Sequence, residues 1–296
     1  MSVDSGGFPN PLFLWIRGAA SRIESIGAGN PRLEAEYLMA AALGVPRIRL
    51  WLLDRPPAPD AVARFEALLE RRMSREPLQY VLGTAEFAGL TLDVGPGVFI
   101  PRSETEILVE RVETRLRARM GGCGAAPRIL DVGTGSGAIL LALMERFAEA
   151  TGVGIDQSPD ALVWARRNAV RLGLDDRVRF LEGDLLDPIG PDERFDAIVS
   201  NPPYVSGQEM KGLASEIRDH EPAAALEGGE DGLDVVQRLI PQAAARLSPG
   251  GLLALEIGIT QGEAVRSLLG GGSFRSVEIL PDLAGRPRVA LVERSQ

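Results

Sequence analysis

The sequence has very few of the residues that build disulfides, zinc sites and nucleophilic triads. Its 296 residues include one cysteine, Cys123, and one histidine, His220. A disulfide within the chain is therefore excluded, which fits a reducing compartment and predicts a cytoplasmic protein. One residue of each kind cannot supply the three or four protein ligands of a His/Cys zinc centre, so we expect no metal. A Ser-His-Asp triad would need His220, whose neighbours Asp219 and Glu221 are typical of a solvated loop.

Long apolar runs and an excess of positive charge are also missing. No apolar run reaches the length of about 18 residues that a transmembrane helix needs, so no membrane span is expected. Residues 1–11 lack the basic and apolar regions of a secretory signal. The chain has 41 acidic and 32 basic residues, a net charge of −9. Because non-specific binding to nucleic acids relies on Lys and Arg, this balance argues against a nucleic-acid substrate.

Apolar residues are present in ordinary measure, and their spacing divides the chain into three regions. In residues 1–82 they recur at helical spacing, with Asn30 and Pro31 typical of a helix start and Gly44 of a helix end. We expect a small N-terminal helical bundle there, with a role in partner recognition. Residues 83–100 alternate between apolar and polar side chains, which predicts a β-hairpin linker. Residues 101–296 are expected to form the domain that carries the chemistry.

From Arg128 onward, short apolar runs alternate with helical patterns. The runs predicted as strands are 128–132, 153–156, 178–182, 196–200, 252–257, 274–280 and 288–292. The predicted helices between them are 138–150, 159–172, 234–247 and 262–269. This alternation predicts an α/β fold with a doubly wound, mostly parallel, seven-stranded sheet. The last two runs have no helix between them, so we expect them to pair antiparallel at the sheet edge.

A glycine-rich loop follows the first of these strands and opens the next helix. Glycines in such a loop allow a tight turn and close approach of the backbone to a ligand. Asp156 ends the next strand, where its carboxylate can accept both hydroxyls of a ribose. Asp184 and Leu185 end the third strand, where they could accept from an adenine amino group and pack on its ring. The predicted cofactor-binding residues are Gly133, Thr134, Gly135, Ser136, Gly137, Asp156, Asp184, Leu185 and Asn201.

The tetrapeptide Asn201-Pro202-Pro203-Tyr204 follows the fourth strand. Ligands of open α/β sheets bind at the carboxyl ends of the strands. An asparagine amide, free proline carbonyls and a flat aromatic ring suit the capture of a planar amide or amino-purine nitrogen. A plain strand-to-loop turn is the alternative, since Asn and Pro are common in turns.

The loop, Asp156, Asp184 and the tetrapeptide end four successive strands, in an order that resembles the class I S-adenosylmethionine-dependent methyltransferases. A closer resemblance, to the HemK/PrmC family, lies in the stretches 76–80, 87–90 and 99–106, and in 221–226, 256–258 and 282–286. It covers the chain from about Glu76 to Glu293, with one departure, Ser103, where the family usually has Pro. Members of this family are protein-glutamine N5-methyltransferases that act on peptide chain release factors.

This resemblance implies that residues 101–296 form a methyltransferase domain and that the substrate is the glutamine amide of a Gly-Gly-Gln loop. Asn201 Oδ1 and the Pro202 carbonyl would each accept one substrate N–H, while Tyr204 and Pro203 would pack on the amide plane. Asn201, Pro202 and Tyr204 are thus the catalytic candidates, in a protein expected to be a monomer. Two alternatives stay open: an adenine-N6 methyltransferase acting on DNA or RNA, and an inactive binding protein.

Several arginines lie in the helical region. They are Arg17, Arg22, Arg71, Arg72 and Arg75. Their spacing is typical of solvated helix faces, and the alternative is contact with an acidic surface of a release factor.

Overall fold

The computed structural model describes residues 11–53, 55–121 and 126–295. Cys123 and the segment considered as a possible secretory signal, apart from Pro11, lie outside these ranges. The chain forms two compact units, Met1–Gly83 and Thr84–Gln296. The roles assigned from the sequence to the regions 1–82, 83–100 and 101–296 stay predictions.

The first unit is helical. Its elements are α1 (Pro11–Glu24), α2 (Pro31–Leu43), a 3-10 helix (Arg47–Leu52), α3 (Pro59–Met73) and α4 (Leu78–Leu82). The predicted limits of α2 are confirmed: the Asn30 side chain accepts from Leu33 N at 3.2 Å, and Gly44 ends the helix with φ 66°. Apolar faces of these helices meet in one core around Ile16, Leu38 and Phe65.

The second unit begins with a hairpin and continues as a seven-stranded sheet with helices. The hairpin strands are β1 (Thr84–Phe87) and β2 (Leu90–Asp93), which pair antiparallel. The sheet strands are β3 (Arg128–Val132), β4 (Thr151–Asp156), β5 (Val178–Glu182), β6 (Phe195–Ser200), β7 (Leu247–Glu256), β8 (Phe274–Pro281) and β9 (Pro287–Arg294). The helices are α5 (Glu106–Met120), α6 (Ala138–Arg146), α7 (Pro159–Leu172), α8 (Gly207–Met210), α9 (Ser215–His220), α10 (Asp234–Arg246) and α11 (Gly262–Leu269).

The strand order confirms the predicted fold class. The strands lie in the order β5-β4-β3-β6-β7-β9-β8, and β3 pairs parallel with both β4 and β6. The two last strands pair antiparallel as predicted, with β8 at the edge and β9 inserted between β7 and β8. Both faces of the sheet are covered, one by a core that includes α5 and α6, the other by a core that includes α10 and α11. Among the described residues, no helix is long and apolar enough to cross a membrane.

Three helices of this unit were not predicted. α5 precedes the alternating region, and α8 and α9 lie between the fourth predicted strand and the predicted helix 234–247. His220 is accordingly the last residue of α9, and its neighbour Glu221 is buried, 5% exposed. The expectation of a solvated loop around His220 was therefore wrong for Glu221.

The parallel pairing explains where ligands can bind. The chain turns from β3 toward β4 on one side, while β6 pairs with β3 on the other. The crevice at such a reversal of strand order, outside the carboxyl ends, is the usual ligand site of an open α/β sheet. The glycine loop, Asp156 and Asn201 all follow these carboxyl ends.

Candidate active site

A partly open cavity of about 1260 Å³, including space open to solvent, lies at this edge of the sheet in the second unit. The predicted site residues that line it are Gly133, Thr134, Gly135, Ser136, Asp156, Asp184, Leu185, Asn201, Pro202 and Pro203. Gly137 and Tyr204 are not among the lining residues. The structure therefore brings most of the predicted residues of four strand ends to one cavity.

The glycine loop is hydrogen-bonded to the neighbouring strand β4. The backbone N–H groups of Gly133 and Thr134 both donate to the Ile155 carbonyl, at 2.8 and 2.9 Å. Gly133, Gly135 and Gly137 all have positive φ, 71°, 56° and 82°. Only glycine adopts such angles freely, so this backbone path depends on the glycines.

Asp156 joins this loop to the cavity. Its Oδ2 accepts from Gly135 N at 2.8 Å and its Oδ1 accepts from Ser158 N at 2.9 Å. Burial raises the pKa of the Asp156 carboxyl, and the backbone donors act against that rise. A carboxylate has about four acceptor positions, so two backbone bonds leave positions for a ribose.

Asp131, which was not assigned a role from the sequence, lies beneath the loop. It is fully buried, and Thr134 Oγ1 donates to its Oδ2 at 2.8 Å. Burial raises the pKa of Asp131 to about 7. Hydrogen bonds from Thr134 and from the Leu140 backbone act against this rise. Asp131 thus fixes the loop at a cost in stability.

The expected adenine end of the cavity has a basic residue that sequence patterns did not single out. Arg238 of α10 lines the cavity, and its Nη2 donates to Asp184 Oδ2. Leu185 has a positive φ of 49°, which is unusual for any residue other than glycine. Asp184 keeps Oδ1 for a ligand, while the salt bridge restrains its carboxylate.

Asn201 belongs to a buried chain of hydrogen bonds. Its Nδ2 donates to Thr105 Oγ1 at 3.3 Å, and Thr105 Oγ1 donates to Glu256 Oε2 at 2.5 Å. Thr105 and Glu256 are 3% and 1% exposed. Both belong to the sequence stretches that carry the family resemblance, but the sequence assigns neither a role because they are 151 positions apart.

The Tyr204 hydroxyl belongs to the same hydrogen-bond network. Its hydroxyl donates to Glu256 Oε1 at 3.2 Å and accepts from Arg288 Nη1 at 3.3 Å. Burial raises the pKa of Tyr204 to about 12, so the phenol stays protonated near neutral pH. Burial also raises the pKa of Glu256, against which Thr105, Arg288 and Tyr204 act.

The cavity also has an apolar wall. Its lining includes Phe99, Pro101, Pro222, Ala224 and Ala225. The two wall segments are joined by buried Glu221, which accepts from Ile100 N at 3.2 Å and from Arg102 Nη2. Such a wall suits the aliphatic stem of a long side chain.

Comparisons with known proteins agree across both units. Residues 15–83 match the family model described as the PrmC N-terminal domain, and residues 129–220 match a methyltransferase domain model. A protein of Geobacter sulfurreducens named release factor glutamine methyltransferase is 44% identical over 93% of this chain and 93% of its own. A protein of Moorella thermoacetica with the same name is 45% identical over 94% of this chain and 96% of its own.

Solved structures agree at the level of the fold. A methyltransferase from Pyrococcus furiosus, 19% identical, covers 77% of this chain and 100% of its own with a TM-score of 0.54. A 16S rRNA methyltransferase from T. Thermophilus, solved with AdoMet and guanosine, is 25% identical. It covers 71% of this chain and 49% of its own, with a TM-score of 0.51.

The strand order, the glycine loop and the carboxylate that ends β4 define a class I methyltransferase whose cofactor is S-adenosyl-L-methionine. The glycine backbone of the loop, which lets a ligand approach closely, and the remaining acceptor positions of Asp156 fit that cofactor. Within this class, the identity over nearly the full length shows the family. The chain belongs to the release factor glutamine methyltransferases.

Proposed function

We propose that this enzyme transfers a methyl group from S-adenosyl-L-methionine to the N5 side-chain amide nitrogen of the glutamine in the Gly-Gly-Gln motif of peptide chain release factors. The name of its relatives supports this substrate. The observation that carries the proposal is that Asn201 and Pro202 line the same cavity as the glycine loop. An acceptor nitrogen held there would meet the methyl group. The adenine alternative is not favoured by these relatives.

The amide clamp addresses the central chemical difficulty. An amide nitrogen is a poor nucleophile because its lone pair is delocalised into the carbonyl. If Asn201 Oδ1 and the Pro202 carbonyl each accept one N–H, both hydrogens are held on one side. The nitrogen would then be more pyramidal, and its lone pair would be available to accept a methyl group. Orientation of this kind can remove about 7–11 kcal/mol of a barrier at the upper end.

The proton needs no base inside the site before transfer. The methylated nitrogen carries one surplus proton, and because an N-protonated amide is strongly acidic, it gives that proton to solvent afterwards. Tyr204 cannot act as a base, since its pKa is raised to about 12 and its hydroxyl already donates to Glu256. The catalytic contribution of the protein is therefore the orientation of the substrate amide.

Cofactor binding is assigned to the strand ends. The backbone of residues 133–137 would surround the methionine part, Asp156 would accept the ribose hydroxyls, and Asp184 with Leu185 would hold the adenine. Pro203 lines the cavity and would pack on the substrate amide. Tyr204 would do so with its ring, while Glu256 and Arg288 hold its hydroxyl.

The helical unit is proposed to add surface for the release factor, and the enzyme to work as a monomer in the cytoplasm, without a nucleic-acid substrate. The arginines do not all serve as a free surface, however. Arg72 is 2% exposed, and its Nε donates to Glu34 Oε2 at 2.7 Å. Arg71 donates to Glu76 and to the Tyr80 and Val81 carbonyls. The interpretation as solvated helix faces was wrong for Arg72.

Methyl transfer from tritiated cofactor tests the proposed substrate. Purified release factor, the same factor with its motif glutamine replaced by glutamate, and duplex DNA are incubated with the enzyme in parallel. We expect label in the unaltered release factor alone. Label in DNA, or equal label in the glutamate variant, would overturn the proposal.

A further inference from the structure

We propose that Thr105 and Glu256 are positioning residues that fix which way the Asn201 amide faces, so that its oxygen and not its nitrogen meets the substrate. This inference rests on the amide clamp proposed for Asn201. The clamp requires a fixed orientation of the Asn201 amide, which the tetrapeptide 201–204 does not set by itself.

An asparagine amide has two faces of similar shape and opposite hydrogen-bonding character. Its oxygen only accepts, and its nitrogen only donates. The substrate nitrogen also donates, so the clamp works only when Asn201 Oδ1 points to it. A half turn of the amide would bring two donors together and remove the contact. The orientation therefore has to be set by a neighbour.

Arg288 and Glu256 set the direction of the hydrogen bonds in this network, because a guanidinium only donates and a carboxylate only accepts. An arginine side chain cannot accept, so the Tyr204 oxygen accepts from Arg288 Nη1 at 3.3 Å. The Tyr204 proton is then free to go to Glu256 Oε1, 3.2 Å away. Burial favours the neutral acid of Glu256. The Arg288 guanidinium 3.7 Å from the same oxygen and the donors Thr105 and Tyr204 favour instead the carboxylate, which only accepts.

The Thr105 hydroxyl links Glu256 to Asn201 and so determines which atom of the Asn201 amide it contacts. A hydroxyl has one proton, and Thr105 gives it to Glu256 Oε2 over 2.5 Å. Its oxygen can then only accept from Asn201, so the atom of Asn201 at 3.3 Å must be Nδ2. Asn201 Oδ1 is left on the other side of the amide. Every donor of the chain thus leads toward Glu256, and the clamp oxygen is directed away from it.

Asn201 and Glu256 lie close together because they are at the ends of two neighbouring strands. Asn201 follows β6 directly, and Glu256 is the last residue of β7, which pairs parallel with β6. Thr105 lies in the 3-10 turn Ser103–Thr105 that precedes α5. Glu256 accepts from Tyr204 as well as from Thr105, so one carboxylate restrains both ends of the tetrapeptide.

Two substitutions of Thr105 separate the hydroxyl from its shape. Thr105→Val keeps the volume and removes the hydroxyl, while Thr105→Ser keeps the hydroxyl. Thr114→Val is the matched control, because Thr114 is exposed on α5 and its Oγ1 donates to the Glu110 carbonyl, away from the cavity. We expect Thr105→Val to lower kcat about tenfold or more, with the cofactor Kd within about twofold. Thr105→Ser should recover most of this loss.

The side-chain amide signals of Asn201 in nitrogen-15 NMR spectra give a readout that needs no turnover. They are assigned with the Asn201→Asp variant. We expect one sharp pair in the unaltered enzyme and in Thr105→Ser, and shifted or broadened signals in Thr105→Val. Unchanged signals and kcat in Thr105→Val, or an equal loss in Thr105→Ser, would overturn the positioning role. Failure of the unaltered enzyme to methylate a release factor would instead contradict the proposed function.

Discussion

The Asn168 side chain pairs with both backbone groups of Asp93. Its Oδ1 accepts from Asp93 N at 2.7 Å, and its Nδ2 donates to the Asp93 carbonyl at 3.0 Å. The same Nδ2 donates to the Ser136 carbonyl at 2.9 Å. Asn168 is fully buried on α7, so one amide ties the end of the hairpin to the cofactor loop.

Replacement of Asn168 by alanine should weaken both the fold and the cofactor site. The change leaves three buried backbone groups without a partner, which we expect to cost about 3 kcal/mol of unfolding free energy. The cofactor Kd should rise about fivefold or more, because the loop loses its contact at Ser136. Urea unfolding and calorimetry measure the two effects.

Asn30→Ala is the matched control for Asn168. It removes a helix cap from α2 in the other unit, where the Asn30 side chain accepts from Leu33 N. It should cost about 1 kcal/mol and leave the cofactor Kd unchanged. If Asn168→Ala likewise left cofactor affinity untouched, the link between hairpin and loop would be structural only.

Asp131→Asn should change how stability depends on pH. The pKa of Asp131 is about 7 in the folded protein and near 3.8 when unfolded. The folded state therefore holds this proton more tightly, and ionisation of Asp131 costs stability progressively as pH rises from about 4 to about 7. Asparagine avoids that cost and keeps an acceptor for Thr134.

Urea unfolding of the cofactor-free protein at a series of pH values tests this account of Asp131. The stability of Asp131→Asn relative to the unaltered protein should increase by on the order of 3 kcal/mol between pH 4 and pH 7 and stay level above. Parallel curves for the two proteins would show that burial does not raise the pKa of Asp131.

Asp156→Asn tests the expected ribose contact. An amide in place of the carboxylate loses charge and one acceptor oxygen, so the cofactor Kd should rise about 10- to 100-fold. Asp175→Asn makes the same charge change at an exposed position after α7 and should not alter the Kd. Equal affinity of both variants, measured by calorimetry, would place the ribose elsewhere.

Asn201→Ala tests the amide clamp itself. Loss of the Asn201 oxygen should lower kcat about 1000-fold, on the scale of removing a single preorganised contact in other enzymes. Cofactor affinity should stay within about threefold, since the loop and Asp156 remain. Single-turnover kinetics on a release factor measure the first effect and calorimetry the second. Near-normal turnover would mean that Asn201 does not hold the substrate amide.

Residues that end predicted strands could be located from the sequence, because buried parallel strands are continuous apolar runs and their ends share one sheet edge. That placed the glycine loop, Asp156 and Asn201 together. Contacts between distant charged or polar residues could not be predicted in this way. Glu256 meets Thr105 from the end of β7, 151 positions later, and Arg238 reaches Asp184 from a helix 54 positions later.

Burial of charged residues was the other source of error. Glu221 and Arg72 have polar neighbours in the sequence, yet both are buried. Each forms a salt bridge, Glu221 with Arg102 and Arg72 with Glu34. Local composition assigns such residues to the surface, since a buried charge is rare unless it is paired. α5 was missed because its charged face obscured the apolar positions Leu108, Val112 and Leu116.

The most direct test of the account is tandem mass spectrometry of a release factor after incubation with this enzyme and S-adenosyl-L-methionine. We predict the added mass of one methyl group on the side chain of the Gly-Gly-Gln glutamine, and no modification when Asn201→Ala replaces the unaltered enzyme. A methyl group on any other residue, or the same modification by Asn201→Ala, would contradict it.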